Sequence, residues 1–362
     1  ADALGLRLPG DWPIIIRILA LTAALFFLPS VLLGTISPVV TKLAVRDLAR
    51  TGSTVGRISA AGTVGSIVGT FATGFVLISL FGTHLIVWGV AVILLLMAAL
   101  FLLAGVQRGR AALGILAVGA VVALSVLVQA QGWLTSNCSL ETNYFCIKVH
   151  DEEQQGENVR VLILDRLVHS YSSLEDPRRL VYSYERTYAE LTSYQAVRRP
   201  DLSVLFIGGG GYTFPRYMEA VYRKSSLDVI EIDPGVTQIA HDLLGLGRDT
   251  RINSYNEDGR MFLARQPVRQ YDLIMGDAFN DYSVPYHLTT REFNAHVQAW
   301  LADGGLYLVN LIDGPRRDFL RAYVHTLRQT FEQVYVIPTI PSWRASPRVT
   351  FVVVATDKPL VI

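Results

Sequence analysis

The residues most suited to chemistry are four consecutive glycines and three acids, each placed after an apolar run. Gly208 to Gly211 follow VLFI, Glu231 lies in IEID, Asp258 in NEDG and Asp277 in MGDAFND. Glycine lets the backbone turn sharply and approach a ligand without an obstructing Cβ. An acid after the second strand can accept both ribose hydroxyls, and one after the third can accept a hydrogen bond from an adenine amino group. If the apolar runs are neighbouring strands, these residues form a nucleoside site at one sheet edge.

The spacing favours an S-adenosyl compound over a nicotinamide dinucleotide. A dinucleotide site needs a third glycine where the pyrophosphate meets the helix, and Thr213 stands at that place. An S-adenosyl compound has no phosphate, and an acid after each of the second and third strands suits its ribose and adenine. Loops at strand ends are also rich in Gly and Asp for turn formation alone, so a purely structural role is the alternative.

The elements that must position these residues follow from the hydrophobic pattern. YFCIKV and NVRVLIL predict a hairpin or small sheet, and a helix is expected over 183–197. Beyond it, strands and helices alternate, which predicts a mostly parallel sheet covered by helices on both faces. The predicted strands are LSVLFI, LDVIEID, RINSYN, YDLIMGD, GLYLVNL, EQVYVIP and RVTFVVVAT, and the predicted helices cover 214–223, 234–244, 258–265, 289–301 and 316–330.

The N-terminal part of the chain has a different composition. Up to Thr135 there are eight Lys/Arg and three Asp/Glu, whereas the remainder has 24 and 28. Four apolar runs, at 14–33, about 57–80, 85–105 and 111–131, have the length of roughly 20 residues that crosses a bilayer. We therefore expect about four transmembrane helices, and the near-zero net charge indicates no nucleic-acid partner.

Loop charge predicts the orientation in a bacterial inner (cytoplasmic) membrane. The loops between the first two and the last two runs contain Lys42, Arg46, Arg50, Arg57, Arg108 and Arg110. Lys and Arg are enriched in cytoplasmic loops, so the soluble domain after the fourth run is expected outside the cytoplasm. Cys138 and Cys146 could form a disulfide there, as suits an oxidising compartment, or remain two free thiols.

Taken together, these motifs resemble the spermidine synthase family, in particular its membrane-fused bacterial branch. The resemblance extends from about Glu141 to Lys358, and LPSVLLGTISP and GTVGSIVGTFATGFVLISLFGT resemble the spans fused to such domains. It implies a Rossmann-like fold of the S-adenosylmethionine-methyltransferase type with a small N-terminal β-sheet. It rests on ETNY, LILDRLVHS, YSYERTYAEL, IGGGG, IEID, NEDG, IMGDAFNDYSVPYHLTTREF and IPTIPSW.

The resemblance implies a role for each matching residue. Asp277 matches the catalytic aspartate that orients and deprotonates the attacking amine, and Tyr184 matches a tyrosine near the amine pocket. The nucleoside half is matched by Gly208, Gly209 and Gly210 as the glycine loop, Glu231 as the ribose ligand and Asp258 as the adenine ligand.

The amine half departs from the family pattern. Gly211 replaces the aspartate that holds the amino group of the sulfonium compound, and Glu185 replaces a glutamine. Asn280 replaces the next acid of the fourth-strand motif, with Asp281 one residue later as an alternative, and Ile340 replaces a substrate-contacting tyrosine. An amine substrate is a cation that needs carboxylates and aromatic faces, so these changes weaken the expectation of putrescine as the acceptor.

Three regions are expected: a transmembrane domain over 1–135, a small β region over 136–182 and the Rossmann-like domain over 183–362. The leading hypothesis is a membrane-anchored S-adenosyl-type (aminopropyl) transferase with an altered amine pocket. A methyltransferase and a catalytically silent accessory subunit of a membrane complex are the alternatives. No metal or tightly bound cofactor is expected; decarboxylated S-adenosylmethionine or S-adenosylmethionine would be the co-substrate. Expected partners are the bilayer, a small amine, and complex subunits or further copies of the chain.

Overall fold

The computed structural model describes residues 12–104 except 46, part of 115–130, 137–278 except 155, and 284–360. Its contacts divide the chain into two compact units, Ala1–Ile86 and Val87–Ile362.

The N-terminal helices are long and apolar. They are α1 (Ile14–Ala44), α2 (Thr51–Phe71) and α3 (Thr83–Ala104), with a π-helical segment at Ala72–Leu77. By length and composition, two helices of the described residues could cross a membrane: Ile15–Ala44 and Thr51–Leu77, with mean hydropathies of 2.2 and 1.5. The structure therefore gives two candidate spans and does not establish four.

The other two predicted spans have different outcomes. The run predicted at 85–105 is helical as far as Ala104, the last of its residues that the structure describes, and its apolar stretch Leu85–Ala98 is shorter than the two candidate spans. The run at 111–131 lies largely outside the described residues. A four-helix membrane domain stays a prediction.

A four-stranded antiparallel sheet begins the soluble part of the chain. Its strands lie in chain order: β1 (Leu140–Glu141), β2 (Cys146–Gln154), β3 (Glu157–Leu164) and β4 (Leu167–Ser172). The hairpin predicted from YFCIKV and NVRVLIL is confirmed as β2 and β3, which turn at Gly156 with φ of +81°. The strand β4 was not predicted from the hydrophobic pattern, but LVHS at its start belongs to a motif on which the family resemblance rests. A disulfide joins Cys138 to Cys146 at the start of this sheet.

The predicted main sheet is confirmed as seven strands in the order β10-β11-β9-β8-β5-β6-β7. The pairs β5–β6, β6–β7, β5–β8 and β8–β9 are parallel, and β11 is antiparallel to both β9 and β10. The strands are β5 (Ser203–Ile207), β6 (Ser226–Ile230), β7 (Ile252–Tyr255), β8 (Tyr271–Gly276), β9 (Leu301–Asp313), β10 (Gln333–Pro338) and β11 (Val349–Thr356). The helices are α4 (Ser183–Arg198), α5 (Thr213–Val221), α6 (Pro234–Leu243), α7 (Gly259–Leu263), α8 (Arg291–Trp300) and α9 (Asp318–Leu327).

Both faces of the main sheet are buried, which explains the nearly continuous apolar runs of its strands. Along β5, Val204 and Phe206 pack into one core, while Leu205 and Ile207 pack into the other. Because the strands from β7 to β9 are parallel, their carboxyl ends meet at one edge. The glycine run and the acids lie at that edge.

Candidate nucleoside and amine site

The glycine loop requires glycine at its first position. Gly208 has φ of +100°, and a Cβ there would lie 2.4 Å from the carbonyl oxygen of Asp277. The Asp277 amide also donates to the Ile207 carbonyl at 2.9 Å. The loops after β5 and β8 therefore touch through their backbones, a contact that only glycine permits.

Glu231, the first residue after β6, holds this loop in place. Its Oε2 accepts hydrogen bonds from the amides of Gly209 at 2.8 Å and Gly210 at 3.3 Å, and its Oε1 accepts from Asp233 at 2.9 Å. Burial raises the pKa of the Glu231 carboxyl, and these backbone donors act in the opposite direction. The residue predicted as the ribose ligand thus also determines the shape of the glycine loop.

Asp258, the predicted adenine ligand, is the N-cap of α7. Its Oδ1 accepts from the Met261 amide at 2.9 Å, and its Oδ2 lies 3.4 Å from Nε2 of His287. The sequence Glu-Asp-Gly is suited both to a helix cap and to a ligand contact. The carboxyl group lines the larger cavity described below while it caps the helix.

Asp277, directly after β8, is held through both carboxylate oxygens. Tyr184 of α4 donates its hydroxyl to Oδ2 at 2.8 Å, and Asn310 of β9 donates its side-chain amide to Oδ1 at 2.8 Å. Burial raises the pKa of Asp277, and the two hydrogen bonds oppose that shift. The carboxylate is thereby oriented before any ligand arrives.

Two adjoining cavities meet at Asp277. The larger, of about 430 Å³, is lined by Glu231 and Asp258. The smaller, of about 150 Å³, extends toward α4 and β4. Their shared wall consists of Gly208, Gly210, His169 and Asp277. A carboxylate between two cavities can serve a reaction that joins two bound molecules.

The smaller cavity combines aromatic rings with a buried acid. Tyr182, Tyr184 and Tyr188 form one wall, with successive ring centroids 5.5 Å apart. Glu185 is only 2% exposed and accepts from the Tyr182 amide at 3.3 Å. Burial, followed by the nearby Asp277 charge, raises the pKa of Glu185 to about 8. Aromatic faces and carboxylates are the groups that surround an ammonium ion in proteins.

Ser170 of β4 occupies the space in which a side chain at position 211 would lie. A Cβ on Gly211 would be 1.9 Å from Oγ of Ser170 and 3.1 Å from Oγ of Ser172. Within the described part of the chain, the buried Ser170 hydroxyl has no hydrogen-bond partner. The aspartate of the family pattern would not fit here unless Ser170 moved.

Two predicted amine-site residues, Asn280 and Asp281, lie outside the described residues. Three others that line the smaller cavity were not predicted: Ser170, Asn310 and Arg348. For Asn310 a signal exists, since it is a lone amide in the apolar run LYLVNLI. Ser170 and Arg348 carry no such signal, because their placement depends on contacts between distant segments.

Several of the relatives found by comparison are polyamine aminopropyltransferases, and others are eEF1A lysine and N-terminal methyltransferases. No family model matches the chain. The chain is 33% identical over 141 residues to a polyamine aminopropyltransferase of Vibrio vulnificus, which is 38% of this chain and 46% of the relative. It is 25% identical over 228 residues to a polyamine aminopropyltransferase of Clostridioides difficile, which is 58% of this chain and 80% of the relative. In the first matches, the chain spans about half or less of the relative's length.

The fold has a counterpart among solved structures. A probable spermidine synthase from Corynebacterium glutamicum superposes with a TM-score of 0.56 at 24% identity. The match covers 60% of this chain and 78% of that chain. The likeness confirms the predicted Rossmann-like fold.

Proposed function

The chain is spermidine synthase-like, and on that premise we propose that it is a membrane-anchored S-adenosyl-type transferase of the aminopropyltransferase kind. The arrangement of two cavities around Asp277 is the observation that carries the proposal. The larger cavity would hold the nucleoside of the donor, with Glu231 at the ribose and Asp258 at the adenine. The smaller cavity would hold the amine.

In the proposed reaction, the amine attacks a carbon next to the sulfonium. The nitrogen lone pair forms the new C–N bond, the C–S bond breaks, and sulfur leaves with the electron pair as a neutral thioether. The proton lost by the amine passes to Asp277. Burial has raised the pKa of this carboxyl, which brings it closer to that of a useful general base.

Orientation supplies much of the rate in such a mechanism, because the sulfonium is already a good leaving group. Tyr184 and Asn310 fix the Asp277 carboxylate from opposite elements, α4 and β9. Neither contact requires a bound ligand. The Asp277 carboxylate is therefore already oriented, at the wall between the two cavities, before a ligand binds.

The membrane part of the proposal rests on two features. By length and composition, the helices Ile15–Ala44 and Thr51–Leu77 could cross a membrane and so anchor the chain. Loop charge favours a domain outside the cytoplasm, and the Cys138–Cys146 disulfide suits an oxidising compartment.

Ligand titration of the purified full chain tests the site assignment. Glu231→Gln and Asp258→Asn should each weaken binding of methylthioadenosine or decarboxylated S-adenosylmethionine. A lost hydrogen bond to a charged group costs about 1.5–3 kcal/mol, or roughly 10- to 150-fold in affinity. Asp242→Asn, an exposed charge loss on α6, is the matched control. Unchanged affinity in both site variants would refute the nucleoside assignment.

Turnover tests the role of Asp277. Asp277→Asn should abolish transfer while nucleoside affinity stays within a few-fold of wild type. Equal losses of binding and rate would assign the residue to the structure of the site and not to its chemistry. Thermal unfolding of each variant separates loss of fold from loss of function.

A further inference from the structure

The smaller cavity has a cation at its lining that the family resemblance does not predict. Arg348 lines it and is exposed to solvent. It forms no ion pair with any acid in the described part of the chain. Its guanidinium is therefore available to an anionic group of a ligand.

Arg348 directly precedes β11, whose neighbour β9 carries Asn310, a hydrogen-bond partner of Asp277. Thr350 pairs with Ile312, and Val352 pairs with Asn310. Side chains two residues apart along a strand point to the same face, and Thr350, Ile312 and Asn310 all line the smaller cavity. Arg348 lines this same cavity.

Beside Gly211, the wall of the smaller cavity lacks the negative charge that the family resemblance implies. Ser170 fills the space beside Gly211, so a neutral hydroxyl stands where the resemblance places an aspartate. Oγ of Ser170 and Oδ1 of Asn310 are buried without a hydrogen-bond partner among the described residues, and both side chains line the cavity. Each residue is only 4% exposed. Two unsatisfied polar atoms at one cavity indicate that a polar ligand group completes them.

The charges of the cavity do not match a diamine. With its pKa raised to about 8, Glu185 is mostly protonated near pH 7, so among the acids and arginines that line the cavity the Asp277 carboxylate and the Arg348 guanidinium carry the charges. A dication would face one negative and one positive group. A ligand with one ammonium and one carboxylate would find a partner for each charge.

We propose that the smaller cavity binds an α-amino carboxylate group, with its carboxylate on Arg348 and its ammonium toward Asp277. The inference rests on the proposed function and names its substrate class. Two sources share this chemistry: the amino acid tail of S-adenosylmethionine itself, which would take the place assigned above to the amine, and a separate amino acid as acceptor, which would keep that place. In both, the ligand keeps the carboxylate that a decarboxylated donor and a diamine lack.

Calorimetric titration of the full chain in detergent distinguishes the two sources. The ligands are S-adenosylmethionine, decarboxylated S-adenosylmethionine and methylthioadenosine, each titrated into wild type and Arg348→Gln. If the donor tail occupies the cavity, Arg348→Gln lowers the affinity for S-adenosylmethionine about tenfold or more and leaves the affinities for the other two ligands unchanged. Arg348→Lys should restore part of the affinity. Arg344→Gln, a charge loss at a residue that stacks on Trp343, is the control.

If an amino acid acceptor occupies the cavity, the pattern differs. Arg348→Gln then leaves the affinities for all three nucleosides unchanged. In the chain saturated with methylthioadenosine, it lowers the affinity for L-ornithine or L-alanine about tenfold. The inference is overturned if methylthioadenosine binds normally and no amino carboxylate responds to Arg348→Gln, or if putrescine alone binds with unchanged affinity. Failure of methylthioadenosine to bind wild type would instead refute the proposed function, and the inference with it.

Discussion

The fit between Ser170 and Gly211 yields a quantitative prediction for Gly211→Ala. The new Cβ would lie 1.9 Å from Oγ and 2.7 Å from Cβ of Ser170. Gly211 does not have a positive φ, so crowding is the source of any cost. Overpacking of a filled interior costs about 1–3 kcal/mol. For a domain of this size, that lowers the unfolding midpoint by roughly 2–12 °C.

A double-mutant cycle isolates this crowding. Ser170→Gly removes the two atoms nearest to the new methyl group and leaves only Oγ of Ser172, at 3.1 Å, so Gly211→Ala should cost much less in its presence. We expect a coupling free energy of about 1–2 kcal/mol between the two positions, within the usual range for residues in contact. The assay is thermal or denaturant unfolding of wild type, both single variants and the double variant, followed by near-ultraviolet circular dichroism.

Gly210→Ala is the matched control. Gly210 has φ of +48°, but a Cβ there would meet no atom within 4 Å. Its cost of about 1–2 kcal/mol comes from the backbone and should not depend on Ser170. If Gly211→Ala and Ser170→Gly instead add within about 0.5 kcal/mol, Ser170 does not occupy the space assigned to it.

Three further predictions follow from the same site and from the chain's topology. Glu185→Gln should stabilise the protein at neutral pH. The pKa of Glu185 rises from 4.5 to about 8 on folding, so the stabilisation that the protonated Glu185 gives the folded state is complete below pH 4.5 and is lost as the pH rises to 8. At pH 7, the free energies of unfolding of wild type and Glu185→Gln should differ by about 3 kcal/mol. Unfolding measured from pH 4 to 8 should show that this difference disappears in acid, and a constant difference would contradict the prediction. Gly211→Asp combined with Ser170→Gly should shift donor preference toward decarboxylated S-adenosylmethionine, and competition binding that still favours the carboxylated donor would count against the proposed wall. The soluble domain should lie opposite the 42–57 loop, so protease on intact cells should reach it with Cys138 and Cys146 bridged; a protected domain with reduced cysteines would place it in the cytoplasm.

The location of the acids could be predicted because it depends on local pattern. Apolar runs of five or six residues that end in Gly or an acid specify both a buried strand and its carboxyl end. Glu231 and Asp277 accordingly follow β6 and β8 directly. The length of a strand was harder to predict from the sequence. The strand β9 spans Leu301–Asp313 and not only GLYLVNL, because pairing with β8 already begins at Leu301.

Contacts between distant segments could not be predicted. Ser170 meets Gly211 across 41 positions of the chain, and nothing in LVHS identifies its partner. The attachment of Glu231 to the glycine loop is another such case, since an acid that binds ribose and one that orders a loop look the same in sequence. The first contact depends on how the small sheet packs on the main sheet, and the second on how the loops after the neighbouring strands β5 and β6 fold against each other.

The wall between the two cavities also bears on the order of events in turnover. Gly208, Gly210 and Asp277 face both spaces, so donor and acceptor can reside together and exchange a group without a covalent protein intermediate. Under the proposed function, initial rates measured against one ligand at several concentrations of the other should give intersecting double-reciprocal lines. Parallel lines are the signature of a group held temporarily by the protein. The wall shared by the two cavities thus predicts the form of the rate law as well as the binding sites.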